Sequence, residues 1–101
     1  MSTINLELLD WIAETMDGCG STGSLICERE VEESQTVARL LGDLAVKNPR
    51  FQQAVFDIKL HQLNESVCLL VNGNLLDLAG GLETILKEGD SVVLVPFIQG
   101  G

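Results

Sequence analysis

The fold of this chain is decided by its C-terminal third, SVCLLVNGNLLDLAGGLETILKEGDSVVLVPFIQGG, which covers residues 66–101. Residues 66–71 form a nearly continuous apolar run, and this predicts a central strand that is buried on both faces. Asn72 and Gly73 both tolerate positive φ, so they predict a tight turn. After that turn, residues 74–78 are expected to pair back briefly.

Two glycine-containing turns divide the remainder of this stretch. Gly80 and Gly81 break the chain, and Gly89 and Asp90 predict a second tight turn. One helical turn is predicted between these breaks, from Leu82, Ile85 and Leu86. A last strand over residues 91–98 then runs straight into the C-terminus.

Upstream of this stretch lies a clear amphipathic helix. Ser34 is a good N-cap, and Asn48 followed by Pro49 ends the helix because proline cannot continue the hydrogen-bond ladder. The apolar residues at helical spacing are Val37, Leu40, Leu41, Leu44 and Ala45. A short helical turn is predicted at 52–55, and the alternation of Phe56, Ile58 and Leu60 favours a short strand.

The N-terminal third predicts two strands joined by a long connection. Residues 3–9 alternate between apolar and polar side chains, and residues 24–31 do so again. The segment 10–23 between them is rich in Gly, Ser and Thr, although Ile12 and Met16 allow a short helical turn. The whole chain therefore predicts an α+β fold, in which one helix of about 13 residues lies on one face of a mixed sheet.

Composition limits the possible partners. The net charge is −9, from 15 acidic and 6 basic residues, and such a surface repels phosphate backbones. Nucleic acid is therefore not expected as a partner. The charge suits a basic protein partner, and it equally suits plain solubility.

Targeting and metal signals are weak in this sequence. The first residues lack the basic region of a signal peptide and no apolar run is long enough to span a membrane, so a cytoplasmic protein with no membrane partner is expected. Cys19, Cys27 and Cys68 form no paired spacing, which favours reduced thiols. His61 is the single histidine, and without a second ligand no metal site is expected.

The ordered signals in the C-terminal half resemble those of the ubiquitin-like sulfur-carrier family. This family includes the small subunit of molybdopterin synthase and the thiamine sulfur carrier. The matching residues are Val71, Asn72, Gly73, Gly80, Gly81, Leu82, Thr84, Leu86, Gly89, Asp90, Pro96, Gly100 and Gly101. The resemblance implies a ubiquitin-like β-grasp domain over residues 1–101, with four to five strands and a flexible tail at about 97–101. The connection at 10–23 is longer than is usual in the family.

The resemblance also implies a chemistry for the tail. In the family, an ATP-dependent, ubiquitin-activating-type enzyme adenylates the C-terminal carboxylate. The adenylate becomes a thiocarboxylate that donates sulfur to an acceptor enzyme, such as the large subunit of molybdopterin synthase. On this hypothesis the carboxylate of Gly101 reacts, the chain is not itself an enzyme, and it binds no cofactor. The residues expected to contact partners are Pro96, Phe97, Ile98, Gln99 and Gly100.

Several destinations for the sulfur remain open from the sequence. Molybdopterin synthesis is the leading hypothesis, and cysteine synthesis, thiamine synthesis and tRNA thiolation are alternatives. A different class of function is a protein modifier, in which Gly101 forms an isopeptide bond with lysines of target proteins. A third reading is a β-grasp interaction module that is no longer activated.

Overall fold

A computed structural model describes residues 2–15 and 24–96 of the chain. The strands are β1 (Ser2–Leu9), β2 (Ser24–Val31), β3 (Phe56–Asp57), β4 (Gln62–Leu63), β5 (Val67–Val71), β6 (Asn74–Leu75) and β7 (Ser91–Pro96). Five of them form the main sheet in the order β2-β1-β7-β5-β6, while β3 and β4 pair separately. β1 and β7 are parallel and the other pairs are antiparallel, so the sheet is mixed, as the sequence predicts.

The helices pack on one face of this sheet. They are α1 (Val37–Lys47), α2 (Pro49–Ala54) and α3 (Leu76–Ala79), with 3₁₀ turns at Asp10–Thr15 and Gly81–Glu83. The buried residues of α1 belong to the same apolar core as the inward side chains of β1, β5 and β7. The most deeply buried large side chains include Phe51, Phe56, Ile4, Leu6, Leu8, Leu41, Leu44 and Leu94. This arrangement confirms the predicted α+β class with one main helix.

The start of α1 differs from the prediction. Thr36, and not Ser34, is the N-cap, and its Oγ1 accepts a hydrogen bond of 3.2 Å from the Arg39 backbone N–H. Ser34 lies two residues earlier with a φ of +64°, in a turn. Both residue types make good caps, so local sequence does not distinguish them. The backbone bridge between Thr36 and Ile85 is a tertiary contact that sets the helix start.

The end of α1 agrees with the prediction. Asn48 is the C-cap, and its Nδ2 donates to the Leu44 carbonyl at 2.8 Å. Pro49 then begins α2, since a proline at the first helical position loses no intrahelical hydrogen bond. The predicted short helix is therefore present, but it covers Pro49–Ala54 rather than 52–55.

The prediction that β5 is central and buried on both faces is wrong. β7 occupies the centre of the sheet, between β1 and β5. Along β5, Val67, Leu69 and Val71 are buried, whereas Cys68 and Leu70 are half-buried on the opposite face. The outer face of the sheet lacks a covering layer among the described residues, so its apolar side chains stay partly exposed.

The predicted strand through Phe56, Ile58 and Leu60 is also mostly wrong. Only Phe56–Asp57 is extended, and the chain then turns. The Asp57 carboxylate Oδ1 accepts hydrogen bonds from the backbone N–H groups of Lys59 and Leu60, at 2.8 and 3.1 Å. This local side-chain bonding offers the backbone an alternative to pairing in a sheet.

The two predicted N-terminal strands pair with each other in the sheet. β1 and β2 pair along their whole length, from Ser2 opposite Val31 to Leu9 opposite Ser24. The first part of the connection is the 3₁₀ turn Asp10–Thr15, which buries Ile12 and Ala13. Residues 16–23, which include Met16 and Cys19, lie outside the described residues.

Candidate functional site

The candidate site is the end of β7, where the chain leaves the sheet. β7 pairs with β1 on one side and with β5 on the other, and Pro96 lies opposite Val67. The inward side chains of Val92 and Leu94 are fully buried. Each such burial contributes about 1.5–3 kcal/mol, so the exit point of the chain is held firmly.

Of the residues predicted to form the site, Pro96 is the one that the structure describes. It is half-buried as the last residue of β7. Its fixed φ restricts the direction in which the chain leaves the sheet. Phe97, Ile98, Gln99, Gly100 and the predicted reacting group Gly101 lie outside the described residues.

A network of hydrogen bonds fastens the opposite end of β7. The Ser91 backbone N–H donates to the Asn72 side-chain oxygen at 2.9 Å, and the Asn72 Nδ2 donates to Asp90 Oδ1 at 3.1 Å. The second oxygen of Asp90 accepts from the Lys87 backbone N–H at 2.8 Å. Asn72 and Gly89 both have positive φ, as their turns require.

This network gives the family-like signals a structural meaning. A strand of this length spans about 17 Å, so Asn72 and Asp90 lie far from Pro96. They join the β5–β6 turn to the start of β7 and do not approach Pro96 at its end. Their role is therefore to set the register of the central strand.

The turn at Gly80 and Gly81 is a second part of the framework that is fixed by hydrogen bonds. Both glycines have positive φ, of +125° and +76°. The Thr84 hydroxyl donates to the Gly81 carbonyl at 2.7 Å, with the Ala79 carbonyl at 3.1 Å as a second acceptor. The Thr84 carbonyl in turn accepts the Val37 backbone N–H at 2.9 Å, which ties this turn to the start of α1.

The outer face of the sheet carries an apolar surface next to the end of β7. Residues directly opposite each other on neighbouring strands project to the same face. The register therefore aligns Val93 with Leu70 and Leu75, and Val95 with Cys68. Leu75 is 48% exposed. The "outer apolar surface" is this set: Cys68, Leu70, Leu75, Val93 and Val95.

Sequence reasoning missed the outer apolar surface. The available signal was the same period-two alternation that defines the strands, because Val93 and Val95 alternate with the buried Val92 and Leu94. Because every residue from Val92 to Val95 is apolar, the sequence does not show which face of this strand is covered. The position of α1 on one face of the sheet resolves this ambiguity.

The acidic side chains on the outer face lie on the other half of the sheet. Glu7 of β1 is aligned with Ile26 of β2 and with Val93, and Glu28 and Glu30 continue the same face of β2. The described residues contain one ion pair, between Arg39 and Glu32 at 3.9 Å, and both of its side chains are exposed. The outer apolar surface is thus bordered by negative charge.

The remaining candidates for chemistry do not form a second site. His61 is exposed, and its ring packs edge-on against Phe56 with the centroids 5.9 Å apart. Cys27 and Cys68 are half-buried free thiols, and Cys19 lies outside the described residues. Within residues 2–15 and 24–96 no group of His, Cys, Asp and Glu has the geometry of a metal site. No helix in these ranges is long and apolar enough to cross a membrane.

Comparisons with solved structures reproduce this fold over nearly the whole chain. The small archaeal modifier protein 1 from Methanosarcina acetivorans is 25% identical, with a TM-score of 0.67 over 100% of this chain and 98% of that chain. The putative molybdopterin converting factor subunit 1 from Pyrococcus furiosus is 18% identical, with a TM-score of 0.71 over 97% and 100%. CysO from Mycobacterium tuberculosis is 19% identical, with a TM-score of 0.67 over 94% and 99%.

A comparison with protein families gives the same result from sequence. The ThiS family matches residues 22–101, which includes α1, β5, β7 and the C-terminal glycines. No curated protein sequence matches this chain. The match covers most of the chain and extends through the end of β7, where the candidate site lies. The chain therefore belongs to the ThiS family of ubiquitin-like sulfur carriers, whose members are small carrier proteins rather than enzymes.

Proposed function

We propose that this chain carries sulfur on its C-terminal carboxylate for the synthesis of a molybdopterin-type cofactor. The observation that carries the proposal is the central strand β7, which ends at Pro96 and is followed by five residues ending in Gly100 and Gly101. The family match over 22–101 includes this tail. A rigid strand followed by two residues without a Cβ is suited to deliver a terminal carboxylate into another protein.

The proposed chemistry requires a partner enzyme for activation. A carboxylate is a poor acyl donor, so a ubiquitin-activating-type enzyme would join the Gly101 carboxylate to AMP from ATP and release pyrophosphate. Sulfide would then attack the acyl carbon, displace AMP and leave a thiocarboxylate. We assign no cofactor to this chain itself, and ATP is used by the partner.

The outer apolar surface supports this proposal because it extends to the end of β7, after which the tail begins in sequence. Val95 belongs to it, and Pro96 immediately follows. A partner that covers this surface would also contact the tail where it begins, after Pro96. The ordering cost of the two glycines, about 1–2 kcal/mol per residue, would then be offset by contacts upstream of them. We infer that residues 97–101 act as a flexible tail on a single β-grasp domain.

Mass spectrometry of the intact protein tests the carrier hypothesis. The chain is incubated with the activating enzyme of its own organism, ATP and sulfide. The expected product is heavier by the difference between one sulfur and one oxygen atom. Deletion of Gly101 should abolish the shift and Gly42→Ala should preserve it, since Gly42 lies in α1. Sulfur gain without Gly101 would refute the assignment of the reacting group.

The acceptor distinguishes the possible pathways. The loaded carrier is mixed with a molybdopterin synthase large subunit and the pterin precursor, and loss of the thiocarboxylate is followed over time. Transfer supports the molybdopterin assignment. Stable thiocarboxylate in this mixture, with transfer to a cysteine, thiamine or tRNA-modifying acceptor, would assign the chain to one of those pathways instead.

A protein modifier is the second candidate function. It is favoured by the 25% identity to the small archaeal modifier protein 1 from Methanosarcina acetivorans over the entire chain. In that case the activated Gly101 would form an amide with a lysine of a target. Higher-mass conjugates that contain this chain in cells, and that disappear when Gly101 is deleted, would support the modifier. Their absence beside a detectable thiocarboxylate would exclude it.

We place this chemistry in the cytoplasm. The described free thiols Cys27 and Cys68 are half-buried, and thiols persist in a reducing compartment. Fractionation followed by immunodetection of the chain tests this placement, and recovery outside the cytoplasm would contradict it.

A further inference from the structure

The first part of the β1–β2 connection lies at the same end of the sheet as the start of the tail. β1 and β7 run parallel, and Leu8 lies opposite Leu94. One residue further, this register brings the last residue of β1 beside Val95, so the two strands end together. Neighbouring strands are about 4.8 Å apart. The 3₁₀ turn Asp10–Thr15 therefore begins next to the place where the chain leaves the sheet, and it lies against β7.

This 3₁₀ turn is held in place by burial and by a hydrogen bond. Ile12 and Ala13 are fully buried, and Thr15 is nearly so. The Thr15 hydroxyl donates to the Ile12 carbonyl at 2.6 Å, so its buried polar group is paired. The turn also packs against α2. Its exposed side chains are therefore presented from a fixed backbone.

Trp11 and Glu14 project from the same side of this turn. A 3₁₀ helix has about three residues per turn, so side chains at i and i+3 lie one above the other, about 6 Å apart along the axis. Both residues are exposed, whereas Ile12 and Ala13 between them are buried. An indole ring and a carboxylate are thus neighbours on the surface beside the end of β7.

Neither of these two side chains has a charged or aromatic partner within the described residues. That part of the chain contains one ion pair and one close aromatic contact, and neither includes Trp11 or Glu14. Trp11 is 37% exposed, although tryptophan is the side chain that most often dominates the energy of an interface. An exposed indole beside an unpaired carboxylate is complementary to a cation.

An arginine side chain fits this pair better than a lysine or a purely apolar group. A guanidinium is planar, it stacks on aromatic faces, and it keeps N–H donors at its edge for a carboxylate. Asp10 is also exposed at the start of the turn and adds a second negative charge. A second copy of this chain, with a net charge of −9, would be repelled, so the arginine belongs to a different and basic protein.

We propose that Trp11 and Glu14 receive an arginine side chain of the activating enzyme and so form a second contact beside the tail. The guanidinium stacks on the indole ring and donates hydrogen bonds to the Glu14 carboxylate. The inference rests on the proposed function, because activation is the step that the carrier and the modifier hypotheses share. Since the contact lies next to the end of β7, it orients the domain while the tail enters the enzyme.

Fluorine NMR of the full chain tests the contact directly. Trp11 is the single tryptophan, so labelling with 5-fluorotryptophan gives one resonance. The unlabelled activating enzyme of the same organism is added without ATP, so that binding is observed and no reaction follows. We expect the resonance to shift or broaden as the complex forms. An unchanged resonance when sedimentation shows a complex, or the absence of any complex, overturns the proposal.

Substitutions at Trp11 separate stacking from apolar burial. Trp11→Leu should weaken binding to the enzyme about tenfold, since leucine is apolar but has no ring. Trp11→Phe should retain most of the affinity, because it keeps an aromatic face. Equal affinities for these two variants would show that no cation stacks here and would overturn the proposal. Far-UV circular dichroism shows whether each variant is folded.

A charge variant decides the question independently of Trp11. Glu14→Gln should weaken binding about threefold, because one exposed ion pair is lost. The matched control is Glu33→Gln, which removes the same charge just beyond β2 at the opposite end of the sheet and should leave the affinity nearly unchanged. Equal weakening by both variants would reduce the effect to general charge attraction and would overturn the site.

A double variant tests whether the two side chains bind one group. Trp11→Leu combined with Glu14→Gln should weaken binding by less than the product of the two separate factors, since both side chains hold the same guanidinium. Fully independent effects would overturn the shared arginine.

Deletion of Gly101 separates this inference from the proposed function. The shortened chain cannot be loaded with sulfur, but the enzyme should still shift its Trp11 resonance. A native chain that binds through Trp11 without gaining sulfur would refute the carrier chemistry and leave the contact intact. Normal affinity and normal sulfur loading of the Trp11→Leu chain would refute the contact alone.

Discussion

Replacement of Gly80 by alanine tests why two glycines stand before Leu82. Gly80 has a φ of +125° and a ψ of 4°, a conformation that L side chains rarely adopt. Forcing alanine into it costs about 1–3 kcal/mol. An added Cβ would also lie 2.8 Å from the Thr84 Oγ1, which is too close for any real contact.

Relief of that contact has its own cost. The Thr84 hydroxyl must rotate away and lose the one hydrogen bond that its O–H donates to the Gly81 carbonyl, with the Ala79 carbonyl as a second acceptor. The loss of this hydrogen bond costs about 0.5–1.5 kcal/mol. We therefore expect Gly80→Ala to lower the free energy of unfolding by about 2–4 kcal/mol, which leaves a domain of ordinary stability folded but weakened.

Urea denaturation provides the assay, followed by far-UV circular dichroism and by the fluorescence of Trp11, the single tryptophan. The matched control is Gly81→Ala. Gly81 also has positive φ, but no atom lies within 4 Å of the added Cβ. It should lose only the backbone contribution, about 1–2 kcal/mol.

The comparison of the two glycines isolates the Thr84 contact. In a Thr84→Ala background, Gly80→Ala should lower the free energy of unfolding by less than it does in the native background, because the close contact is gone. Gly81→Ala makes no such contact, so its effect on the free energy of unfolding should not be reduced in the Thr84→Ala background. Equal losses for the two glycine variants, with no coupling between Gly80 and Thr84, would refute this reasoning.

Three further predictions use the same denaturation assay. Gly42→Ala should raise the free energy of unfolding by up to about 1 kcal/mol, because Gly42 lies inside α1 with nothing within 4 Å of an added Cβ; a loss of stability would contradict this. Asp90→Ala should lower the free energy of unfolding by about 1–3 kcal/mol, because the Lys87 backbone N–H and the Asn72 side-chain amide lose their acceptor. A urea midpoint identical to that of the native chain would show that this hydrogen-bond network does not stabilise the start of β7. Leu94→Ala should lower the free energy of unfolding by about 2–5 kcal/mol, since its side chain is fully buried. Val93→Ala on the outer face should lower it by less than about 1 kcal/mol. Similar losses for the two variants would show that the two faces are assigned incorrectly.

The parts of the fold that the sequence predicted correctly depend on local chemistry. Asn72, Gly73 and Gly89 occupy turns with positive φ, and Asn48 with Pro49 ends α1, as their side chains and backbones require. The order of strands and helices follows from these breaks and from apolar periodicity between them. The family resemblance rests partly on Asn72, Gly73 and Gly89, which the structure places in the framework rather than near the end of β7.

The failed predictions depend on contacts that the apolar pattern does not show, some distant in sequence and some local. Ser34 and Thr36 are equivalent caps until the backbone of Ile85 pairs with Thr36. Phe56 begins a strand, but the Asp57 side chain bonds the following N–H groups and ends it. The alternation of Phe56, Ile58 and Leu60 therefore shows how the apolar side chains are spaced, but it does not show that the backbone pairs in a sheet.

The amino-acid sequence alone predicted the two N-terminal strands, the main helix, the last strand and the turns at Asn72 and Gly89, and it showed that two glycines follow the last strand. It could not determine which strand is central, because β5 and β7 are both apolar at nearly every position. That choice was made by β1, which pairs in parallel with β7 from the other end of the chain. Because α1 packs on one side of the sheet, the other face has no covering layer among the described residues. Burial depends on neighbouring elements, so the outer apolar surface is visible only in the folded protein.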